Sequence, residues 1–216
     1  MKKFLTILCL VLLVSCSDNK VDEFYYDSGQ LEQRRTYEGD KELTEYFYKN
    51  GQLQRRENYK NGEQDGLLEH YYEKGTLRQR DNYKNGEPDG LHEIFYENGQ
   101  LKETGNYKNG EQDGYWEYFF ENGQLDQKGT WKDGEQEGFF EMFHGNGFLM
   151  MRGNYKNGKW DGLLEGFGVY GQPLRKGNYK NGKLDGLNEW FNENGQFDRQ
   201  ECYKNDEQVD MFFCED

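Results

Sequence analysis

Apolar and polar residues along this chain follow a repeated unit of 24 residues. The clearest series is formed by glycines: Gly51, Gly75, Gly99, Gly123, Gly147, Gly171 and Gly195. An aromatic series with the same step runs from Tyr59 to Tyr203. A fixed period of this length is typical of solenoids, in which each copy packs against its neighbours. The last copy replaces two glycines by Asp206 and Asp210, as a capping repeat would.

Each unit contains two short runs of β-forming residues separated by glycine-bearing turns. In the copy that begins at Gly99, these runs are residues 101–107 and 115–120. The repetition of this unit about eight times therefore predicts an all-β fold of antiparallel hairpins in one continuous sheet. A sheet with one apolar face must curl or be covered, and the pattern contains no helix that could cover it. We therefore predict an elongated solenoid whose sheet is twisted and trough-like.

The turn at residues 121–123 decides which side chains share a face. It fits a two-residue Asn-Gly turn or a three-residue type I turn that ends in a left-handed glycine. The first would place Leu125 opposite Phe120, and the second would place Leu125 opposite Phe119, in a column that is Phe or Tyr in seven copies. Because register follows the buried face, we predict the three-residue turn.

One face of the predicted sheet carries the residues that recur in every copy, represented by Leu101, Tyr107, Tyr115 and Phe119. A recurrent acid interrupts this face, at Glu45, Glu69, Glu93, Glu117, Glu141, Glu165 and Glu189. A partly buried carboxylate needs hydrogen-bond donors. We expect turn amides or tyrosine hydroxyls of the next repeat to provide them, which gives this glutamate a structural role.

The repeated unit resembles the variant form of the MORN repeat, which occurs in bacterial envelope proteins and in an antitoxin-like family. The resemblance is carried by Tyr107-Lys-Asn-Gly110, by Gly114 and by Glu117, and it extends over residues 24–215. The better-known eukaryotic repeat has Tyr-x-Gly-x-Trp where this chain has Tyr-Lys-Asn-Gly. The resemblance implies a hairpin solenoid that binds proteins or, in some eukaryotic members, phospholipids.

The N-terminus has the pattern of a secretion signal, with Met-Lys-Lys before an apolar run that is too short to span a bilayer permanently. Leu13-Val14-Ser15-Cys16 resembles the bacterial lipobox, which is cleaved before a cysteine that carries diacylglycerol. We predict a lipid on Cys16 and a place in the bacterial cell envelope, and Ser17 favours the outer membrane. The predicted organisation is a lipoprotein signal peptide at 1–15, a tether at 16–23 and the repeat array at 24–215.

Acidic residues dominate the chain, with 41 Asp and Glu against 27 Lys and Arg and a net charge of −14. Such a surface repels nucleic acid and anionic lipid headgroups, so we expect membrane contact only through the lipid anchor. An aromatic content of 17% indicates a folded chain, since disordered chains are poor in aromatics. Near the C-terminus, Cys202 and Cys214 fall on one face of the last hairpin. In an oxidising envelope we predict a disulfide between them, with two free thiols as the alternative.

The face opposite the recurrent residues is where the copies differ, and we predict that it binds a partner. Large apolar residues concentrate there in the fourth to sixth copies: Trp116, Tyr118, Phe120, Phe140, Met142, Phe148 and Met150. Exposed apolar patches usually indicate contact, whereas the alternative is a second small core. We expect a protein partner. A glycan is an alternative, since Tyr and Trp on a sheet can stack sugar rings, and a structural spacer is the third possibility.

No catalytic or metal chemistry is predicted. The mature chain would have serines only at Ser17 and Ser28, and the three histidines lie in different copies, so no nucleophile is placed beside a base. Residues 61–66 resemble the start of a calcium loop, but the required bidentate glutamate would fall at Tyr72. Turn chemistry explains these residues. The expected function is therefore a binding or scaffold module without a cofactor.

Overall fold

The computed structural model describes residues 20–214, which form one open antiparallel sheet of 19 strands followed by a short 3-10 helix, η1. The elements are β1 (Lys20–Tyr25), β2 (Leu31–Glu38), β3 (Lys41–Phe47), β4 (Leu53–Lys60), β5 (Glu63–Tyr71), β6 (Leu77–Lys84), β7 (Glu87–Phe95), β8 (Leu101–Lys108), β9 (Glu111–Gln112), β10 (Gly114–Phe119), β11 (Leu125–Lys132), β12 (Glu135–Phe143), β13 (Leu149–Lys156), β14 (Lys159–Trp160), β15 (Gly162–Phe167), β16 (Pro173–Lys180), β17 (Lys183–Phe191), β18 (Phe197–Lys204), β19 (Glu207–Val209) and η1 (Met211–Cys214). The predicted all-β hairpin array is confirmed.

Neighbours in the chain are neighbours in the sheet. β9 and β10 both pair with β8, and β14 and β15 both pair with β13, because the chain breaks its ladder briefly at Asp113 and Asp161. Apart from these interruptions the sheet has the predicted strands and one more, β1, which begins within the span 16–23 assigned to the tether. The predicted signal peptide 1–15 and the lipidated Cys16 lie outside the described residues. Within residues 20–214, no helix is long and apolar enough to cross a bilayer.

The three-residue turn is confirmed. Phe119 lies opposite Leu125, as that turn requires. The Phe120 amide donates to the Gln124 carbonyl, and the Gly123 amide donates to the Phe120 carbonyl, both at 2.8 Å. Gly123 has φ 82°, a left-handed conformation that glycine adopts without strain. The buried register and the turn chemistry therefore agree.

The turns at the other end of the hairpins tie each repeat to the one before it. Asn109 and Gly110 have φ 49° and 82°, the pair of positive angles of a type I′ turn. The Gly110 amide then donates to the Pro88 carbonyl of the previous repeat at 2.9 Å. Equivalent bonds join Gly134 to Gln112 and Gly158 to Gln136, so this row of turns is stacked along the sheet.

The structure corrects the assignment of side chains to faces. Leu101, Tyr115 and Phe119 share a face with the recurrent glutamates, here called the glutamate face. Tyr107 lies on the other face, where its ring contacts Trp116 with centroids 5.2 Å apart. The reason is the bulge that accompanies each three-residue turn: Leu101 pairs with Phe95 but Glu103 pairs with Ile94, so Lys102 is an extra residue that reverses the alternation.

The opposite surface, here called the tyrosine face, carries the recurrent Tyr59, Tyr83, Tyr107, Trp131, Tyr155 and Tyr179. It also carries the most buried column of the sheet, with one residue from each of the first seven copies: Thr44, Leu68, His92, Trp116, Phe140, Leu164 and Asn188. All of these side chains are buried except the half-buried Leu164. The core of this single-layer fold is therefore a stripe that crosses the strands, and its chemistry changes from copy to copy.

Tyrosine hydroxyls provide a second tie between repeats, which the sequence analysis missed. Tyr48 donates to the Tyr71 carbonyl at 2.8 Å and Tyr96 donates to the Phe119 carbonyl at 2.7 Å, each reaching 23 residues ahead. Tyr26 and Tyr72 make the same bond. The fourth copy has Phe120 at this position and therefore has no hydroxyl to donate.

The C-terminal end of the sheet is closed by η1. A disulfide joins Cys202 of β18 to Cys214 of η1. Cys202 is 1% exposed, so the bond lies within the packed end of the array. Since β19 has only three residues, η1 and the disulfide fix the chain where the regular ladder ends.

Candidate functional site

The predicted partner-binding patch does not form as one exposed surface. Trp116 is 0% exposed and Phe140 is 5% exposed, so neither side chain is part of an exposed patch, which corrects that expectation. Their positions correspond to the alternative, a small second core. The other members of the set differ in exposure: Tyr118, Phe120, Met142 and Met150 are half-buried and Phe148 is 49% exposed. A partner-binding role for these five stays a prediction.

Glycine explains why Trp116 is buried in a single-layer sheet. Gly105 lies directly opposite Trp116, and a Cβ on Gly105 would overlap the indole ring. Gly153 has the same relation to Leu164, whose Cδ1 would lie 2.8 Å from a Cβ on the glycine. Neither glycine has a positive φ, so the role of each glycine is to leave space for the facing side chain.

Aromatic rings close over this space in the central copies. Trp116 lies 6.3 Å from both Tyr118 and Trp131, measured between ring centroids. In the sixth copy, Tyr155 stacks on Trp160 at 3.8 Å. Aromatic pairs at such distances stabilise a core beyond the area they bury. This part of the tyrosine face is therefore an aromatic cluster in which most rings cover one another.

The glutamate face carries an exposed apolar row, although the register predicted from the sequence treats this face as the buried one. Its members are Leu91, Tyr115, Phe139 and Leu163, here called the apolar ridge. They occupy the same position in the third to sixth copies and are each between 38% and 43% exposed. The Tyr115 and Phe139 rings are 5.9 Å apart, so the ridge is continuous at its centre. Equivalent Leu43, Leu67 and Leu187 are half-buried, which concentrates exposure in the middle of the array.

A ladder of alternating charges runs beside the ridge. The recurrent glutamates face basic residues of neighbouring strands, as in Arg56 to Glu45 at 3.0 Å, Arg80 to Glu69 at 3.4 Å, Lys128 to Glu141 at 2.9 Å and Arg152 to Glu165 at 2.5 Å. Tyr71 and Tyr115 also donate to a glutamate two residues away in the same strand. The expected donors, turn amides and tyrosine hydroxyls of the next repeat, are thus corrected. Arginine, lysine and same-strand tyrosine are the partners of Glu45, Glu69, Glu93, Glu117, Glu141 and Glu165.

His92 occupies the buried column at the boundary between charged and aromatic copies. Its Nδ1 contacts Asp81, and its Nε2 lies 3.0 Å from Glu103 Oε1. Burial alone would lower the pKa of His92, but the hydrogen bonds to the two carboxylates outweigh burial and raise the pKa to about 9. The imidazole is therefore charged at neutral pH and neutralises part of the charge of the buried Asp81 and the half-buried Glu103. No local sequence pattern indicates this cluster, because Asp81, His92 and Glu103 come from three strands.

Among the residues that the structure describes, no three or more His, Cys, Asp or Glu side chains are arranged to hold a metal ion.

Comparison with protein families matches the family described as the MORN repeat variant. The matching stretches are residues 23–38, 43–61, 64–85, 88–109, 112–133 and 184–205, together more than half of the chain. They coincide with the hairpins described above. No curated protein matches the chain.

Proposed function

This chain belongs to the MORN repeat variant family, and from that premise we propose that it is a non-catalytic module that binds a protein partner in the bacterial cell envelope. Repeats of this kind are often protein- or membrane-binding modules. A single-layer sheet supports such a role, since both of its faces remain available along the array.

The apolar ridge is the observation that carries the proposal. Exposed apolar rows are uncommon on soluble surfaces and usually indicate a contact. With two strands per copy at a spacing of about 4.8 Å, successive ridge residues are about 10 Å apart, so four of them extend over roughly 30 Å. The paired charges beside the ridge provide a polar border around an apolar centre, as protein interfaces commonly have. The ridge therefore replaces the predicted patch as the principal contact surface.

Site-specific photocrosslinking in the native cell tests this proposal. A photoreactive residue is placed at Tyr115 or Phe139 in the ridge. Matched controls carry it at Tyr118 or Met142, which lie in the same two strands but on the tyrosine face. We expect the two ridge positions to capture the same protein, in higher yield than the controls. Absence of an adduct, or equal yields of one adduct on both faces, would overturn the ridge as the binding surface.

The envelope location is part of the proposal and is tested separately. The lipobox-like segment that ends at Cys16 supports a diacylglycerol anchor. We expect a radiolabelled fatty acid to be incorporated into the wild-type protein and the protein to sediment with membranes, whereas Cys16→Ala loses both. Labelling of the variant at the wild-type level would contradict an anchor at this residue.

A carbohydrate ligand is the second candidate, supported by the stacked Tyr155 and Trp160 on the tyrosine face. These half-buried rings offer an aromatic surface on which a sugar ring could lie. Soluble envelope glycans added to the purified protein would raise its melting temperature if they bind the folded state. The ridge proposal predicts no such shift. A shift that Trp160→Ala abolishes would favour the glycan role.

A further inference from the structure

Arginine is unevenly distributed in this acidic chain. Six of the nine arginines lie in the first three copies, at Arg34, Arg35, Arg55, Arg56, Arg78 and Arg80. Arg34, Arg56 and Arg80 belong to the charge ladder of the glutamate face. Arg55 and Arg78 instead lie beside a small cavity that is open to solvent on the tyrosine face.

The cavity has a volume of about 240 Å³, and its lining includes Arg55, His70, Arg78, Tyr46, Tyr48 and Gln54. The Arg55 guanidinium lies over the Tyr46 ring at 4.1 Å from its centroid, which fixes its plane at the wall of the cavity. The Tyr48 hydroxyl is already used, since it donates to the Tyr71 carbonyl. The polar groups that remain for a ligand are the Arg78 guanidinium, the His70 imidazole and the Gln54 amide, together with the Arg55 guanidinium, which also pairs with Glu57.

The carboxylates near this cavity already have partners, and one of these partners is Arg55 of the cavity itself. Glu57 lies 3.3 Å from Arg55 and also accepts the Tyr59 hydroxyl, and Asp81 is bonded to His92 and Gln79. Within residues 20–214, Arg78 forms neither an ion pair nor a side-chain hydrogen bond. The cavity therefore has a local excess of positive charge on a protein whose net charge is −14.

The pKa of His70 reflects the same local positive charge. Burial lowers the pKa of His70, and Arg55 and Arg78 lower it further, whereas Glu57 and Asp81 act in the opposite direction. Within the described residues neither ring nitrogen of His70 has a hydrogen-bond partner. A neutral imidazole beside two guanidinium groups can donate one N–H to an oxyanion, and guanidinium groups match the geometry of carboxylate and phosphate.

We propose that the cavity between Arg55, His70 and Arg78 binds a small oxyanion, the carboxylate or phosphate group of a soluble ligand. The site lies on the face opposite the apolar ridge. It goes beyond the proposed partner-binding function, and the failure of one does not affect the other.

Titration of the histidine ring signals by NMR tests the site, with inorganic phosphate and sodium acetate as probes at constant ionic strength. Both probes are added to the folded protein near pH 6.5. We expect a saturable shift of the His70 signals toward the protonated form, because a bound anion offsets the two guanidinium charges. Saturation by one probe only supports the site and identifies its preferred group. Shifts that do not saturate with either probe would overturn it.

Arg78→Gln provides the decisive variant, and Lys102→Gln is its matched control. Arg78 and Lys102 occupy the same position in successive copies, both are exposed, and both substitutions remove one positive charge. We expect Arg78→Gln to weaken anion binding about tenfold, as loss of one charged hydrogen bond would, and Lys102→Gln to leave it unchanged. Equal weakening by both variants would show a general charge effect and contradict the site. Unchanged melting temperatures establish that both variants are folded.

Discussion

The first three copies and the fourth to sixth copies fill the same position of the tyrosine face in different ways. In the early copies, an acidic residue faces the buried column across adjacent strands, as Glu57 faces Leu68 and Asp81 faces His92. In the central copies, glycine faces a large apolar group, as Gly105 faces Trp116. The backbone ladder is the same in both regions. The difference shows that two facing residues pack as a unit, because the combined volume of their side chains must fill one space between the strands.

The two regions also differ in how neighbouring copies are joined. Tyr26, Tyr48, Tyr72 and Tyr96 each bond the next copy through a hydroxyl. From Phe120 onward this tie is lost or replaced, for example by His144, whose Nε2 lies 3.1 Å from the Phe167 carbonyl. The central copies rely more on aromatic packing, and the early copies rely more on hydrogen bonds and ion pairs.

Truncation of the central aromatic cluster should have the largest effect on stability. Trp116→Ala removes a fully buried indole and leaves Gly105 uncovered. We expect a loss of about 3 to 5 kcal/mol in the free energy of unfolding, measured by chemical denaturation. Tyr115→Ala is the adjacent control on the exposed ridge and should cost much less. Similar losses for both would contradict the burial difference between the two faces.

Raising the pH should lower the stability of the protein, because His92, which lies between the two regions, loses its charge. The pKa of His92 is raised to about 9 in the folded protein, above the usual 6.5. Its stabilising contribution is therefore complete below pH 6.5 and is lost as the pH rises through about 9. At about 1.4 kcal/mol for each pKa unit, this loss amounts to up to about 3 kcal/mol. Denaturation at pH 6.5 and pH 10 measures it. His92→Gln should flatten the profile, and an unchanged slope in that variant would exclude His92 as its source.

Exchanging the facing pair tests the comparison directly. Gly105→Asp with Trp116→His would build the Asp81–His92 pair into the next copy. Each single substitution should be destabilising, because one adds a side chain where the indole lies and the other leaves a cavity. The double variant should be more stable than the sum of the single losses predicts, by about 1 to 2 kcal/mol. A double-mutant cycle gives this coupling energy, and strict additivity would show that the two positions do not pack as a unit.

The hydroxyl ties should give the smallest effect. Tyr96→Phe removes the hydrogen bond to the Phe119 carbonyl and should cost about 1 kcal/mol. Phe120→Tyr is the reciprocal change, since it introduces the missing hydroxyl at the same position of the next copy, and we expect a gain of similar size. If Phe120→Tyr is neutral while Tyr96→Phe is destabilising, the early copies have a geometry that the central copies lack.

Much of the fold could be predicted because it repeats. The period, the hairpins, the open all-β sheet and the pairing of Leu125 with Phe119 all follow from patterns that recur through the chain. The position of Tyr107 could not be read from alternation alone, because the bulge at Lys102 reverses it. A signal for the charge ladder was present in the recurrence of Arg or Lys at positions 34, 56, 80, 128, 152 and 176, opposite the recurrent glutamates. This recurrence becomes informative only when the strand register is known, because the partners lie on neighbouring strands.

The candidate surfaces were less predictable than the fold. Trp116 and Tyr115 are adjacent in sequence, yet the residue expected to bind a partner is buried and the residue expected in the core is exposed. Hydropathy does not distinguish two apolar neighbours on opposite faces of one strand. The distinction depends on what lies across the strand, and for Trp116 this is the bare backbone of Gly105.

By itself the sequence determined the local structure of this protein: hairpins with left-handed glycines at the turns, a constant register and a stack of similar units. These features depend on backbone conformation and nearest-neighbour pairing, which a 24-residue repeat encodes many times. Only the tertiary structure decided which face packs, which apolar row stays exposed and which charges meet. These outcomes depend on side-chain volumes and partners in adjacent strands, and the bulges determine which side chains those strands bring together.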